Sequence, residues 1–138
     1  MAFDIKRVEY YNFIIEGQIG ESTKLLSIVA EAGVNLLAFK AITLEPARTR
    51  FTLIPDDSAK MNTGAKNAGQ NFDGPYPALF IKGENDESGE LAAIYQKLSQ
   101  AGIPVHESSG IANIKGSYGV ILYLAPEDCE KATAALKI

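Results

Sequence analysis

Two loops hold the residues best suited to chemistry. The first is Gln18-Ile19-Gly20-Glu21-Ser22 and the second is Asn85-Asp86-Glu87-Ser88-Gly89-Glu90. Each stands directly before a helical pattern. The first backbone N–H groups of a helix lack intrahelical partners, and the helix dipole adds positive character there, so either loop suits a carboxylate. Gly20 and Gly89 would let a ligand approach the backbone closely. The plainer alternative is that Ser22 and Ser88 cap the helices and the glycines make turns. His106 is the only histidine, and Glu107-Ser108-Ser109-Gly110 follows it. A histidine beside a carboxylate and hydroxyls has the parts of a general base. Neighbours on a strand point to opposite faces, however, so a packed, surface or ligand-contacting histidine fits better. Cys129 falls on a helical stripe as a small buried apolar residue. Gly116-Ser117-Tyr118-Gly119 lacks the lysine of a phosphate loop and reads as a hairpin turn.

The elements that position these residues are legible from periodicity. Residues 8–16 are aromatic and β-branched and read as a strand stopped by Gly17. Leu25, Leu26, Ile28, Val29 and Ala32 make one helical stripe, which Gly33 ends. Residues 34–43 and 48–54 read as a hairpin, and Pro55-Asp56-Asp57 opens a thinner helix to about Ala68. Gly74, Pro75 and Pro77 mark a linker. The order then restarts. Residues 78–82 read as a strand, 89–101 as a helix ended by Gly102, 103–113 and 118–124 as strands, and Pro126 opens a last helix.

Both halves follow one plan: strand, helix, hairpin, helix. At a shift of 69 (89 − 20), Gly20 falls on Gly89, Glu21 on Glu90, Ala32 on Ala101 and Gly33 on Gly102. That order of landmarks reads as an internal repeat. The right-handed crossover rule puts both helices of a unit on one face of its sheet. A closing strand is visible in neither half. The N-terminal segment, longer than one strand needs, is expected to fill the missing edge beside the other half.

Composition narrows the classes. The chain has 138 residues, 46% of them hydrophobic, enough for a core of ordinary size. With 13 basic and 17 acidic side chains the net charge is −4, which argues against nucleic acid as partner. No apolar run approaches the ~20 residues that span a bilayer. The N-terminus lacks the pattern of a secretion signal, and a single cysteine excludes an internal disulfide. A cytoplasmic protein with no membrane association is expected.

The plan resembles the ACT domain, a small βαββαβ module that binds amino acids and regulates metabolic enzymes. The residues that carry the resemblance are Asn85-Asp86-Glu87-Ser88-Gly89-Glu90-Leu91 with Gln100-Ala101-Gly102-Ile103, and Glu31-Ala32-Gly33-Val34-Asn35-Leu36. They match the family's acidic loop ending in Pro-Gly, its apolar helix, and the Ala-Gly-Ile-Asn-Ile-like entry to strand two. Ile19 and Ser88 stand where that Pro belongs, and Pro104 stands where Asn would follow. The resemblance implies an α+β fold of two ferredoxin-like βαββα(β) ACT-type repeats, over 1–70 and 76–138 with a linker at 71–75. Their sheets would be antiparallel, with helices packed on one face. It also implies a ligand held by loop side chains and strand-two backbone. Those residues would be Gln18, Gly20, Glu21 and Asn35 in one half, and Asn85, Asp86, Ser88, Gly89 and His106 in the other. The expected function is amino-acid binding by a regulatory protein without catalysis, cofactor or metal. The alternative is a protein-interaction module with degenerate pockets. Unpaired strand edges suggest a homodimer.

Overall fold

The computed structural model describes residues 3–17, 20–69, 72–84 and 89–137. The order is β1 (Phe3–Glu16), α1 (Gly20–Glu31), β2 (Leu36–Glu45), β3 (Arg48–Pro55), α2 (Ser58–Asn67), β4 (Asp73–Gly83), α3 (Glu90–Gln100), β5 (Glu107–Ala112), β6 (Tyr118–Tyr123), a 3₁₀ turn (Pro126–Asp128) and α4 (Cys129–Leu136). β3 pairs antiparallel with β1 and β2, and β6 pairs antiparallel with β4 and β5. No helix among the described residues is long and apolar enough to cross a membrane. The described residues contain no cluster of three metal-ligating side chains.

The chain divides into two compact units, Glu9–Tyr76 and Met1–Val8 with Pro77–Ile138. In the first the strand order is β2-β3-β1-β4. Tyr11 and Phe13 of β1, Phe51 and Leu53 of β3, Leu25 and Val29 of α1, and Met61 of α2 form its core. Both helices therefore cover one sheet face. Asp57 caps α2, its Oδ1 accepting from Ala59 N at 3.0 Å and Lys60 N at 3.2 Å. Such a cap contributes about 1 kcal/mol, which matters for a helix whose buried side chains are only Met61 and Ala65. Gly64 completes the fit: a Cβ there would stand 2.6 Å from Ala32 Cβ, so glycine is what lets α1 and α2 approach.

In the second unit the order is β5-β6-β4-β1. Leu79 and Ile81 of β4, Ile94 and Leu98 of α3, Val120 and Leu122 of β6, and Cys129, Ala132 and Leu136 of α4 form the core, with Ile5 of β1 packed against it. Burial pushes the Cys129 thiol above its ordinary pKa, so thiolate nucleophilicity is suppressed there. The helix ends of the two units share one hydrogen-bond pattern. Gly33 and Gly102 take positive φ (77° and 71°), Val34 N donates to Val29 O, and Ile103 N donates to Leu98 O.

The closing edges come from the long strands. β1 has 14 residues and β4 has 11, against a usual ~5–6. The unit boundaries cut β1 between Val8 and Glu9, and β4 between Tyr76 and Pro77. The start of β4 thus closes the first unit and the start of β1 closes the second. Of the segment expected as a linker, 71–75, Asp73 to Pro75 are strand. Gly74 explains how: a Cβ there would stand 2.7 Å from Tyr10 O and 3.0 Å from the Tyr11 ring. Phe72 meets the rings of Phe13 and Tyr11, while Tyr76 meets Tyr10 at 5.5 Å between centroids. These contacts run in opposite chain order, the sense of an antiparallel neighbour.

Candidate functional site

Each helix start adjoins the strand that feeds it. Gly89 takes φ 94° just before α3, a conformation that side chains rarely adopt, and its carbonyl accepts from Ala93 N at 2.9 Å. Glu90 opens α3 and accepts a hydrogen bond at Oε2 from Tyr118 Oη at 3.2 Å. Tyr118 reaches it because Gly83 has no side chain. A Cβ at Gly83 would stand 2.1 Å from Tyr118 Cε1. Beside this pair is a hollow of about 350 Å³, lined by Glu90 and Leu91 of α3, residues 108–112 of β5, and Tyr118 to Val120. Its walls are mostly apolar because Gly110, Ala112 and Val120 face it. Polar groups stand at its ends, Glu90 with Tyr118 at one, and the hydrogen-bonded hydroxyls of Tyr95 and Ser108 at the other.

The first unit offers a more charged groove, about 560 Å³, lined by residues 12–15 of β1, Glu21, Lys24, Leu25 and Ile28 of α1, Arg50 and Asp73. Glu21 is engaged there by Lys24 Nζ at 3.0 Å. Gly20 opens α1 without positive φ, and a Cβ there would meet nothing within 4 Å. Glycine at that position is thus required neither by the turn nor by packing.

Of the expected ligand-binding residues, Gln18, Asn85, Asp86 and Ser88 lie outside the described residues. Gly20 and Glu21 stand together, and Gly89 stands beside the α3 hollow. Asn35 and His106 do not join them. Glu16 is paired with Arg48 at one end of β3, whereas Leu36 is paired with Pro55 at the other. Gly83 is paired with Tyr118 at one end of β6, whereas Glu107 is paired with Tyr123 at the other. Asn35 and His106 precede the second strand of their unit, so a helix length separates them from the helix start. Both are exposed and held by backbone bonds. Asn35 N donates to Asp56 Oδ1 at 3.1 Å, and His106 N donates to Tyr123 O at 2.9 Å. Within each unit, therefore, Asn35 and His106 do not reach the start of the helix, whereas the later residues of β5 do. No local pattern in the sequence links Tyr118, Glu90 and Gly83: the β4–β6 register sets Tyr118 opposite Gly83, and the start of α3 brings Glu90 to its hydroxyl.

The elements define an ACT-like fold, the fold of the regulatory domains of aspartate kinase. The chain is similar to the protein BT0572 from Bacteroides thetaiotaomicron, with TM-score 0.81 and 19% identity over 96% of this chain and 88% of that one. It is similar to the regulatory subunit of aspartate kinase from Thermus thermophilus in its ligand-free form, with TM-score 0.65 and 14% identity over 99% and 95%. It also matches E. coli aspartokinase III solved with aspartate and ADP, with TM-score 0.57 and 12% identity, covering 98% of this chain and 32% of that enzyme. No family model and no curated protein matches the chain.

Proposed function

We propose that the chain is a non-catalytic regulatory protein of two ACT-type repeats that binds a free amino acid at the start of α3. The observation that carries this reading is the hollow of about 350 Å³ beside the Glu90–Tyr118 pair. The N–H groups of the first turn of α3, which lack partners within the helix, suit the ligand carboxylate, and Glu90 suits its ammonium. Leu91, Gly110 and Val120 leave room for an apolar side chain. Regulatory subunits of aspartate kinase share the fold, which supports a sensing role over a catalytic one. Glu90→Gln is expected to weaken amino-acid binding about tenfold or more, a loss of roughly 1.4 kcal/mol by titration calorimetry. Unchanged affinity in that variant would remove Glu90 from the site.

A second reading, an assembly module acting as a homodimer, rests on β2. This ten-residue strand is at an edge of its unit's sheet and exposes Leu37, Phe39, Ile42 and Leu44, with Phe39 65% exposed. Such an edge invites pairing. Phe39→Glu should convert a dimer to monomer by light scattering, and a monomeric parent chain would end this reading.

A further inference from the structure

The unit Met1–Val8 with Pro77–Ile138 carries another hollow, about 830 Å³, which borders the one at α3 along Ile111, Ala112, Tyr118 and Gly119 and extends to Asp4, Phe80, Lys82 and Glu84. Leu79, Ile81, Val120 and Leu122 belong to the helix-side core, so strand alternation sends Phe80, Lys82 and Gly119 to the opposite face. Register sets Lys82 opposite Gly119, and Gly119 opposite Ile111. The row Lys82–Gly119–Ile111 therefore crosses three strands with no side chain at its centre. The Phe80 ring leans over that gap, its Cε1 3.2 Å from where a Gly119 Cβ would stand. Asp4 and Glu84 line the same hollow. Lys82, Asp4 and Glu84 are exposed, and none of them forms an ion pair among the described residues.

The other unit shows how such a row looks when the chain fills it. Glu16 stands one residue before Gly17, as Lys82 stands before Gly83, and Glu16 is paired with Arg48, which is paired with Glu45. Arg48 supplies the central side chain. Its Nε lies 3.2 Å from Glu16 and its Nη1 lies 3.8 Å from Glu45. That row is full and its central charge is neutralised internally. In the Lys82 row the centre is empty, and one cation and two carboxylates are left without mutual pairing around a partly apolar hollow.

We propose that this hollow is a second binding site, distinct from the one at α3, and that its ligand is a free α-amino acid with an apolar side chain. Lys82 takes the carboxylate, and Asp4 and Glu84 take the ammonium. The side chain lies over Gly119 between Phe80 and Ile111, covering an isoleucine that is otherwise 81% exposed. A zwitterion is the ligand class that uses both signs of charge at once. A plain carboxylate would leave Asp4 and Glu84 facing its own charge.

The test is a titration of the ¹⁵N-labelled full chain with apolar L-α-amino acids and with the α-keto acids that correspond to them. Saturable shifts are expected at the amides of Phe80 and Lys82, which line this hollow and not the one at α3. Lys82→Gln, at an exposed position that leaves the fold intact, should weaken that binding about tenfold or more. The keto acids should bind more weakly than the amino acids, and Glu90→Gln should leave these shifts unchanged. The proposal is overturned if no amino acid gives saturable shifts at these amides, if the shifts are unaltered in Lys82→Gln, or if keto acids bind equally well. Shifts confined to Glu90, Leu91 and Gly110, and lost in Glu90→Gln, would overturn it while sustaining the α3 site.

Discussion

Gly83→Ala should destabilise the chain by about 1–3 kcal/mol, the usual cost of forcing an extra methyl into a packed site. The position looks innocuous, since Gly83 has no positive φ and ends a strand. The cost comes from Tyr118, whose Cε1, Cζ and Oη would lie 2.1–2.6 Å from the new Cβ. The ring must move, and its hydrogen bond to Glu90 goes with it. The melting temperature should fall several degrees, at roughly 3–4 °C per kcal/mol for this chain length. The control is the same substitution in a Tyr118→Ala background. With the ring gone the methyl has space, so Gly83→Ala should then cost little, and the cycle should show coupling of about 1 kcal/mol or more. Equal losses in the two backgrounds would show that the strain arises elsewhere.

Removing residues 1–8 should have a still larger and more local effect. Ile5 packs on the core of the unit that holds α3 and α4, and Val8 is only 5% exposed. Losing such side chains costs about 1.5–3 kcal/mol each when fully buried, and the edge of β4 is unpaired as well. Against a total stability of about 5–15 kcal/mol this is enough to open the unit. By hydrogen exchange, the amides of residues 77–83 and 118–123 should lose about a hundredfold or more of protection, or roughly 2.7 kcal/mol. Those of residues 49–53 pair with β1 beyond the deletion and should keep theirs. Uniform loss in both units, or none, would contradict the assignment of the first strand residues to the second unit.

Much of the architecture was legible because it is local. The stripes Leu25–Val29 and Ile94–Leu98, the Ala-Gly stops at Gly33 and Gly102, and the acid-rich start of α2 all follow from neighbours in sequence. The closing strands were harder to see. Gly74, Pro75 and Pro77 carry the signature of a linker, and only the close approach to Tyr10 and Tyr11 makes a strand of them. At the start of α3 the glycine was legible in sequence, and the Tyr118 and Gly83 that adjoin Glu90 were not. Gly89 marked the α3 start correctly by its backbone. Gly20 looked equivalent, yet no contact or conformation there needs glycine. Asn35 and His106 precede the second strand of their units, and the crossover helix delivers the start of that strand to the far end of the sheet. Tyr118 meets Glu90 across 28 residues, a separation closed by the β4–β6 register and the placement of α3 after β4. The row Lys82–Gly119–Ile111 is likewise visible only once three strands are aligned.

The function proposed for this chain is the binding of a free amino acid. A thermal-shift screen of the full chain against the standard L-amino acids tests it most directly. A ligand at about 100 times its dissociation constant stabilises by about 2.7 kcal/mol. A selective rise of roughly 5 °C or more is expected for one or a few chemically related amino acids. If no amino acid moves the midpoint, the chain is not an amino-acid sensor and the reading is wrong.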